Sequence, residues 1–503
     1  MAPRNLVRRQ LRGFVTMWVA LTGMIAVATF FAIYLTYGGD SFGAGARSSV
    51  ALIPTNTSIP QAAINVTNPP TLAAASTNTQ EPTVAPSDTS APTEQVEALV
   101  ATEETSSTDA GVQTVAEVST TVSEPTVAVA PTIPPIDVKD FQVGIQVQPD
   151  PGGNQEYQNN WMREVKDKIG FGWVKTQIRW ADIEKTKGEY DWGAVRFPVS
   201  ATERFGLKMM VSVVTAPDWA REPGIDLTKN GPPANAQDYV NFVSAMMEKF
   251  KGNIQAIEVW NEENLDREWM SNSGLNAVNY VNLLRQTYQA VKQIDPTVIV
   301  ISGALSPGGG WTEADGRISA VDDFAYFDGL IQAGLLDYTD CVGAHHNGYN
   351  IGPSVLFDAV PDDPAATFRG PFDNPHHSWS FRSTLETYHS KIQAAGSDKK
   401  LCITEFGWPS TEDLTGTPAG FGFAADNTLE EQKTWTVEAL NNMDEWGFVW
   451  LAFIWNFNYG PQAGWSPDND NVPYSIIGPD WVHRPVYDAI IEWQQARLAS
   501  GKP

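Results

Sequence analysis

Hydrophobic positions fall into two regimes that meet near residue 140. Beyond it, short apolar runs recur at FQVGIQV (141–147), WVKTQIRW (173–180), LKMMVSVV (207–214), IQAIEVW (254–260), TVIVISG (297–303), CVGAHH (341–346), LCITEF (401–406) and FVWLAFIWNF (448–457). They are rich in β-branched and aromatic residues and too short for helices, so each reads as a strand covered on both faces. Between them apolar residues return at helical spacing, as in 235–250 and 277–294, and RPVYDAIIEWQQARL closes the chain in the same way. Eight strands, each followed by a helical pattern, predict an α/β fold: a (β/α)8 TIM barrel spanning residues 136–503. An open doubly wound sheet is the alternative. It would carry a Gly-rich turn after its first strand, where this chain reads QVQPDPGGNQ with no GxGxxG.

Ahead of the barrel the pattern changes twice. Residues 14–37, FVTMWVALTGMIAVATFFAIYLTY, carry no charge and follow Arg4, Arg8, Arg9 and Arg12. A run of that length spans a bilayer as a helix, and the basic arm of residues 1–13 marks the cytoplasmic side. The expectation is a single-pass signal anchor with the rest of the chain outside the cell. Secretion after signal cleavage is the rival, since small residues stand at 43–46. From Gly43 to Asp140 no Phe, Tyr or Trp occurs. Residues 38–135, rich in Thr, Ser, Pro and Ala, therefore read as a disordered linker that holds the barrel off the membrane.

A net charge of -26 argues against nucleic acid, whose phosphates it would repel. The two cysteines, Cys341 and Cys402, rule out a disulfide framework and a Cys-rich metal site. Both open neighbouring strands of the expected barrel. A bridge is open to them outside the cell, and a pair of buried free thiols is the favoured reading.

In a barrel of this kind the active site lies at the C-terminal ends of the strands. Glu262 ends the fourth run, in Trp260-Asn261-Glu262, and Glu405 ends the seventh, in Ile403-Thr404-Glu405. Strands four and seven lie nearly opposite, so both carboxyls can reach one cleft. Two carboxyls at close range suit double displacement at a sugar carbon, one as nucleophile and one as acid and then base. The alternative for either glutamate is a structural ion pair, for instance with Arg179. Glu258, inside the fourth run, reads as a buried paired group or a residue near the strand's start. Glu263 is expected to point away onto the loop. Adjacent His345 and His346 on one strand face opposite sides, which disfavours a shared metal; no metal and no cofactor are expected.

The motifs W180-ADIEKTKGEYDW, WNEENL, VGAHH, ITEFGWPS and RPVYDAI resemble those of clan A glycoside hydrolases, closest to family thirty-nine, whose members include xylosidases, iduronidases and bacterial exopolysaccharide hydrolases. The resemblance implies Glu262 as acid/base and Glu405 as nucleophile of a retaining glycosidase, and it matches His345 to the strand-six histidine. The family pattern reads Asn-Glu-Pro at strand four, whereas Glu263 stands here in place of proline. Asn261 is expected on the sugar 2-hydroxyl, Arg179 beside Glu405 to hold it ionised, and Tyr349 near the nucleophile. Glu262 is expected to stay protonated in a less polar setting. Trp408 and Trp455 are candidate sugar platforms, with core packing the alternative for each.

The expected substrate is an extracellular or cell-surface polysaccharide. A catalytically silent sugar-binding protein on the same barrel and a transglycosylase are the other readings. The loops 217–235, 304–322 and 350–380 would set substrate choice; in the last, His376 and His377 either line the cleft or only decorate it. WSPDNDNVPYS reads as a cleft loop after strand eight, since it lacks the EF-hand spacing of a calcium loop.

Overall fold

A computed structural model describes residues 140–149, 153–363, 366 and 375–502. The expected cytoplasmic arm, membrane anchor and linker lie outside the described residues. Among the described residues, no helix is long and apolar enough to cross a membrane.

Eight parallel strands form one sheet: β1 (Gln142–Gln146), β2 (Trp173–Arg179), β3 (Lys208–Val214), β4 (Ala256–Val259), β5 (Ile299–Ser302), β6 (Val342–Asn347), β7 (Leu401–Gly407) and β8 (Val449–Ile454). Neighbours follow chain order, and β1 pairs with β8. Parallel bridges Ile301–Cys341 and Leu305–Ala344 join β5 to β6, so the sheet closes on itself. This is the expected barrel.

Closure divides each strand's side chains between two environments. One set, including Val174, Val211, Ile257, Val300 and Ile403, packs outward under the helices. The other, including Trp173, Met210, Ala256, Ile299, Cys402 and Phe453, fills the barrel interior. Cys341 and Cys402 belong to this inner set, with Cα atoms 5.9 Å apart, and they are bonded as a disulfide. That corrects the expectation of free thiols: two inward cysteines on paired strands meet at bonding range.

The main outer helices are α1 (Gln155–Arg163), α2 (Gly193–Arg204), α3 (Ala236–Lys249), α4 (Ala277–Ile294), α5 (Asp323–Gln332), α6 (Phe381–Ala394), α7 (Leu429–Trp446) and α8 (Pro485–Ala499). Their starts obey capping chemistry. Asn235, Asn276, Asp322, Ser380 and Thr428 each accept a backbone N–H of the first turn, and Pro485 opens α8. Each cap fixes where a βα loop ends, and those loops surround the C-terminal mouth of the barrel. On α4, Leu284 and Val291 are wholly buried, each contributing about 1.5–3 kcal/mol. A short antiparallel hairpin, Trp311–Thr312 with Ile318–Ala320, stands in the loop after β5 and has no counterpart in the sequence reading.

Candidate active site

Glu405 owes its direction to a bulge. Ala344 of β6 pairs with Ile403 of β7, but His345 pairs with Glu405, so β7 carries one extra residue there. Without it, strict alternation from inward Cys402 would turn Glu405 outward. The bulge re-aims a side chain at the strand's end: Thr404 and Glu405 both face in, beside His345. At β4 the chain leaves the sheet after Val259, and Trp260 and Glu262 take positive φ values of 79° and 48°. Left-handed backbone is uncommon for such residues and collects at functional sites. Here it sends the Trp260 ring into the outer core and turns Glu262 over the barrel mouth, where its N–H donates to Ala304 O at 2.9 Å.

The two carboxyls meet over one imidazole. His345 Nδ1 lies 3.2 Å from Glu262 Oε1 and 3.8 Å from Glu405 Oε2, which together cap the separation of those oxygens at 7.0 Å. Glu262 and His345 are wholly buried, and Glu405 is 3% exposed. Arg267 Nη2 donates to Glu262 Oε2 at 3.1 Å. Asn347 Nδ2 approaches Glu405 Oε2 at 3.4 Å.

The cation on Glu405 is Lys175, with Nζ 2.8 Å from Oε1. Arg179 instead faces Asp182 at 3.4 Å from the end of β2, which corrects the expected pairing. Both residues point inward from β2, but Lys175 sits deeper and is completely buried. Its Nζ also lies 3.8 Å from Glu258 Oε2. Glu258 is thus a buried paired group: it accepts from Thr404 Oγ1 at 2.6 Å and from Ser212 Oγ. Below the two facing carboxyls therefore runs a chain of charge, Glu405–Lys175–Glu258, shut off from water.

Burial pushes the Glu262 carboxyl up, but the His345 hydrogen bond and the Arg267 charge outweigh it, leaving the pKa below the usual value. Burial likewise pushes His345 down, while the Glu405 charge and the Glu262 hydrogen bond lift it above the ordinary imidazole range. The expected apolar setting that keeps Glu262 protonated is absent.

No protein-family model matches the sequence, and no curated protein matches it. Solved structures do. A family 39 glycoside hydrolase from Bacteroides cellulosilyticus is 19% identical at TM-score 0.48, over 72% of this chain and 65% of that one. A monomeric β-xylosidase from Caulobacter crescentus is 17% identical at TM-score 0.47, over 70% and 68%. The GH39 enzyme from Xanthomonas axonopodis is 14% identical at TM-score 0.48, over 72% and 67%.

The remaining candidates separate by position. Asn261 is buried next to Glu262, and its Oδ1 finds no partner among the described residues. Tyr349 lines a small cleft with Arg267, Ser306, Pro307, Asn347, Phe421, Phe423 and Tyr474. Arg267 and Asn347 connect that cleft to the two glutamates. Trp455 belongs to the aromatic cluster that includes Tyr349, Phe421, Phe423, Tyr459 and Tyr474, and its ring centroid is 5.8 Å from Lys175 Nζ. Trp408 is different. It packs on Phe381 in the outer core and donates Nε1–H to Ile351 O at 2.9 Å. Its ring is core packing, and it offers no face to a sugar. Tyr474 brings WSPDNDNVPYS to the cleft.

Glu263 does point away from Glu262, yet not onto a solvated loop. It is fully buried, neither carboxylate oxygen has a hydrogen-bond partner among the described residues, and a Cβ on Gly303 would collide with Oε2. Burial holds its pKa well above the carboxylate range. His346 turns outward, with Nε2 3.1 Å from Ser378 O, so the two adjacent histidines share nothing.

Proposed function

We propose that this chain is a retaining glycoside hydrolase acting on O-glycosidic bonds of a polysaccharide. The observation that carries the proposal is the pair Glu262 and Glu405, held from β4 and β7 over one imidazole with their facing oxygens no more than 7.0 Å apart. Retaining chemistry uses carboxyls about 5–5.5 Å apart and inverting chemistry about 6.5–9.5 Å; the 7.0 Å bound excludes most of the inverting range, and the configuration of the first product decides between the two. Glu405 attacks the anomeric carbon while Lys175 and Asn347 hold its carboxylate in place. Glu262, hydrogen-bonded to His345 at 3.2 Å, passes a proton to the departing glycosidic oxygen. The glycosyl ester on Glu405 is then attacked by water, whose proton returns to Glu262. Oxocarbenium charge forms between two carboxylates in a site closed to solvent, where electrostatic stabilisation is strongest.

The aromatic cluster of Trp455, Tyr349, Phe421, Phe423 and Tyr474 suits the apolar faces of a sugar ring. Asn261, with an unmet amide oxygen beside Glu262, is placed for a hydroxyl. The uncharged run at 14–37 and the linker at 38–135 make the enzyme a cell-surface one, tethered with its barrel outward; protease digestion of intact cells should release the activity.

The test is the purified full chain on a panel of polysaccharides and aryl glycosides, followed by trapping with a 2-fluoro glycoside of the sugar that is cleaved. The expected results are product that first appears with the substrate's anomeric configuration and a glycosyl adduct on the peptide containing Glu405. Polysaccharide binding without any release of reducing sugar would replace the proposal with the silent sugar-binding reading. Product of inverted configuration would refute the double displacement.

A further inference from the structure

We infer that Asp322, His376 and His377 form a binding site for one divalent transition-metal ion of the zinc class, where the β5–α5 loop meets the segment that leads into α6. The inference is independent of the glycosidase reading. Asp322 Oδ2 lies 2.8 Å from His377 Nε2 and 3.6 Å from His376 Nε2, and one ligand atom from each of the three falls within 4.8 Å of the others. Tetrahedral zinc, with bonds of about 2.0–2.2 Å, sets neighbouring ligand atoms roughly 3.3 Å apart. An ion between these atoms therefore asks each to shift by less than the length of a bond. Two imidazoles and a carboxylate, with the fourth position open to water, are a donor set that suits zinc, cobalt(II) and iron(II) and is poorly suited to calcium.

What surrounds the three side chains matches what a ligand set needs. Asp322 is fixed through its other oxygen, because Oδ1 caps α5 by accepting Ala325 N–H at 3.1 Å. His377 is stacked on Phe324 with ring centroids 3.6 Å apart, and its Nδ1 lies 3.7 Å from Asp323 Oδ1. Asp323 is wholly buried and held by Tyr388 Oη at 2.6 Å and by Gly308 N at 3.2 Å. Asp323 places a negative charge near the second nitrogen of His377, though at 3.7 Å it makes no hydrogen bond to it. His376 Nδ1 lies 2.7 Å from Ser378 Oγ and also takes Ser378 N–H at 3.2 Å. As it stands Nδ1 is an acceptor, so with Nε2 on the ion the proton moves to Nδ1, the Ser378 N–H bond is given up, and Nδ1 donates to the hydroxyl instead. The side chains of the two histidines are 14–15% exposed and that of Asp322 is 30% exposed, so an ion can enter from solvent. Bound there, it would tie the start of α5 to the last residues before α6 and brace two loops on the side of the barrel where the reacting pair lies.

The experiment uses the purified full chain after treatment with a chelator, titrated with Zn²⁺ by calorimetry and with Co²⁺ by visible absorption. One ion per chain is expected, with the intense d–d bands of four-coordinate cobalt. His376→Gln and His377→Gln should each weaken binding by more than the ~10–100-fold that loss of an outer partner costs. Each variant's thermal unfolding in chelator shows whether it folds. Glu262→Gln and Glu405→Gln should bind the ion as the parent does, which separates this site from the carboxylates around His345. An absence of stoichiometric binding, or binding that survives the double change His376→Gln/His377→Gln, would overturn the inference and leave an ordinary Asp–His ion-pair cluster.

Discussion

Replacing Lys175 with methionine keeps the side chain's length and removes its charge. At 2.8 Å from Glu405 and 3.8 Å from Glu258, an effective dielectric constant near 20 gives attractions of about 6 and about 4 kcal/mol. Much of this is offset by the desolvation of an ammonium group that is 0% exposed. The net cost of Lys175→Met does not follow from that difference, however. It follows from leaving two buried carboxylates without a cation, for which about 3–5 kcal/mol is the expected loss. Urea unfolding of the purified protein, followed by tryptophan fluorescence, measures it. The decisive quantity is the coupling in the cycle with Glu405→Gln. Once Glu405 is uncharged, losing Lys175 should cost less, by about 1–3 kcal/mol, as for contacting residues in one network. On the proposed mechanism, turnover should fall in Lys175→Met while the barrel remains folded, because Glu405 loses its fixed counter-ion. Additive effects, with coupling below about 0.5 kcal/mol, would refute the charge chain beneath the active site.

Other consequences are open to the same unfolding measurement. The Cys341–Cys402 bridge spans a sequence separation of 61, and loop-closure entropy puts its contribution at about 4 kcal/mol; Cys402→Ala should lose up to that much and become insensitive to reductant. His346 has its pKa lowered from 6.5 to about 4 by burial. Below pH ~6.5 the unfolded chain takes up a proton that the fold refuses, so stability should drop by up to about 3 kcal/mol towards pH 4, and His346→Gln should flatten that part of the profile. Glu263 is a carboxyl whose pKa is raised by burial, so its penalty grows as pH climbs above the unfolded value; Glu263→Gln should stabilise the protein at pH 8 and change little at pH 4. An equal effect at both pH values would rule out a titrating Glu263.

The barrel was legible because its signal repeats: eight apolar runs, each followed by a helical spacing, leave few closed arrangements. The active-site geometry was legible only where it does not depend on register. Strand ends alone nominate Glu262 and Glu405, since catalytic groups of a barrel collect at the C-terminal ends of its strands. Yet alternation counted from Cys402 turns Glu405 outward, and only the extra residue in β7 corrects it. A bulge carries no mark in a run such as LCITEF, because its cause is pairing with both neighbouring strands. Lys175 was findable. A lysine inside WVKTQIRW, at the same parity as Arg179, must meet an acid in the barrel interior, and Glu258 on the same reasoning must meet a cation. Arg179 drew the assignment because it ends its strand, where catalytic groups are sought, whereas the group that holds a nucleophile sits one layer below. Trp408 misled for the opposite reason: it follows the nucleophile's strand as a sugar platform would, but the chain has already turned outward there, into the layer under α6. Sequence position thus nominates the candidate pair, and the depth of each residue along its strand decides which side chains surround it.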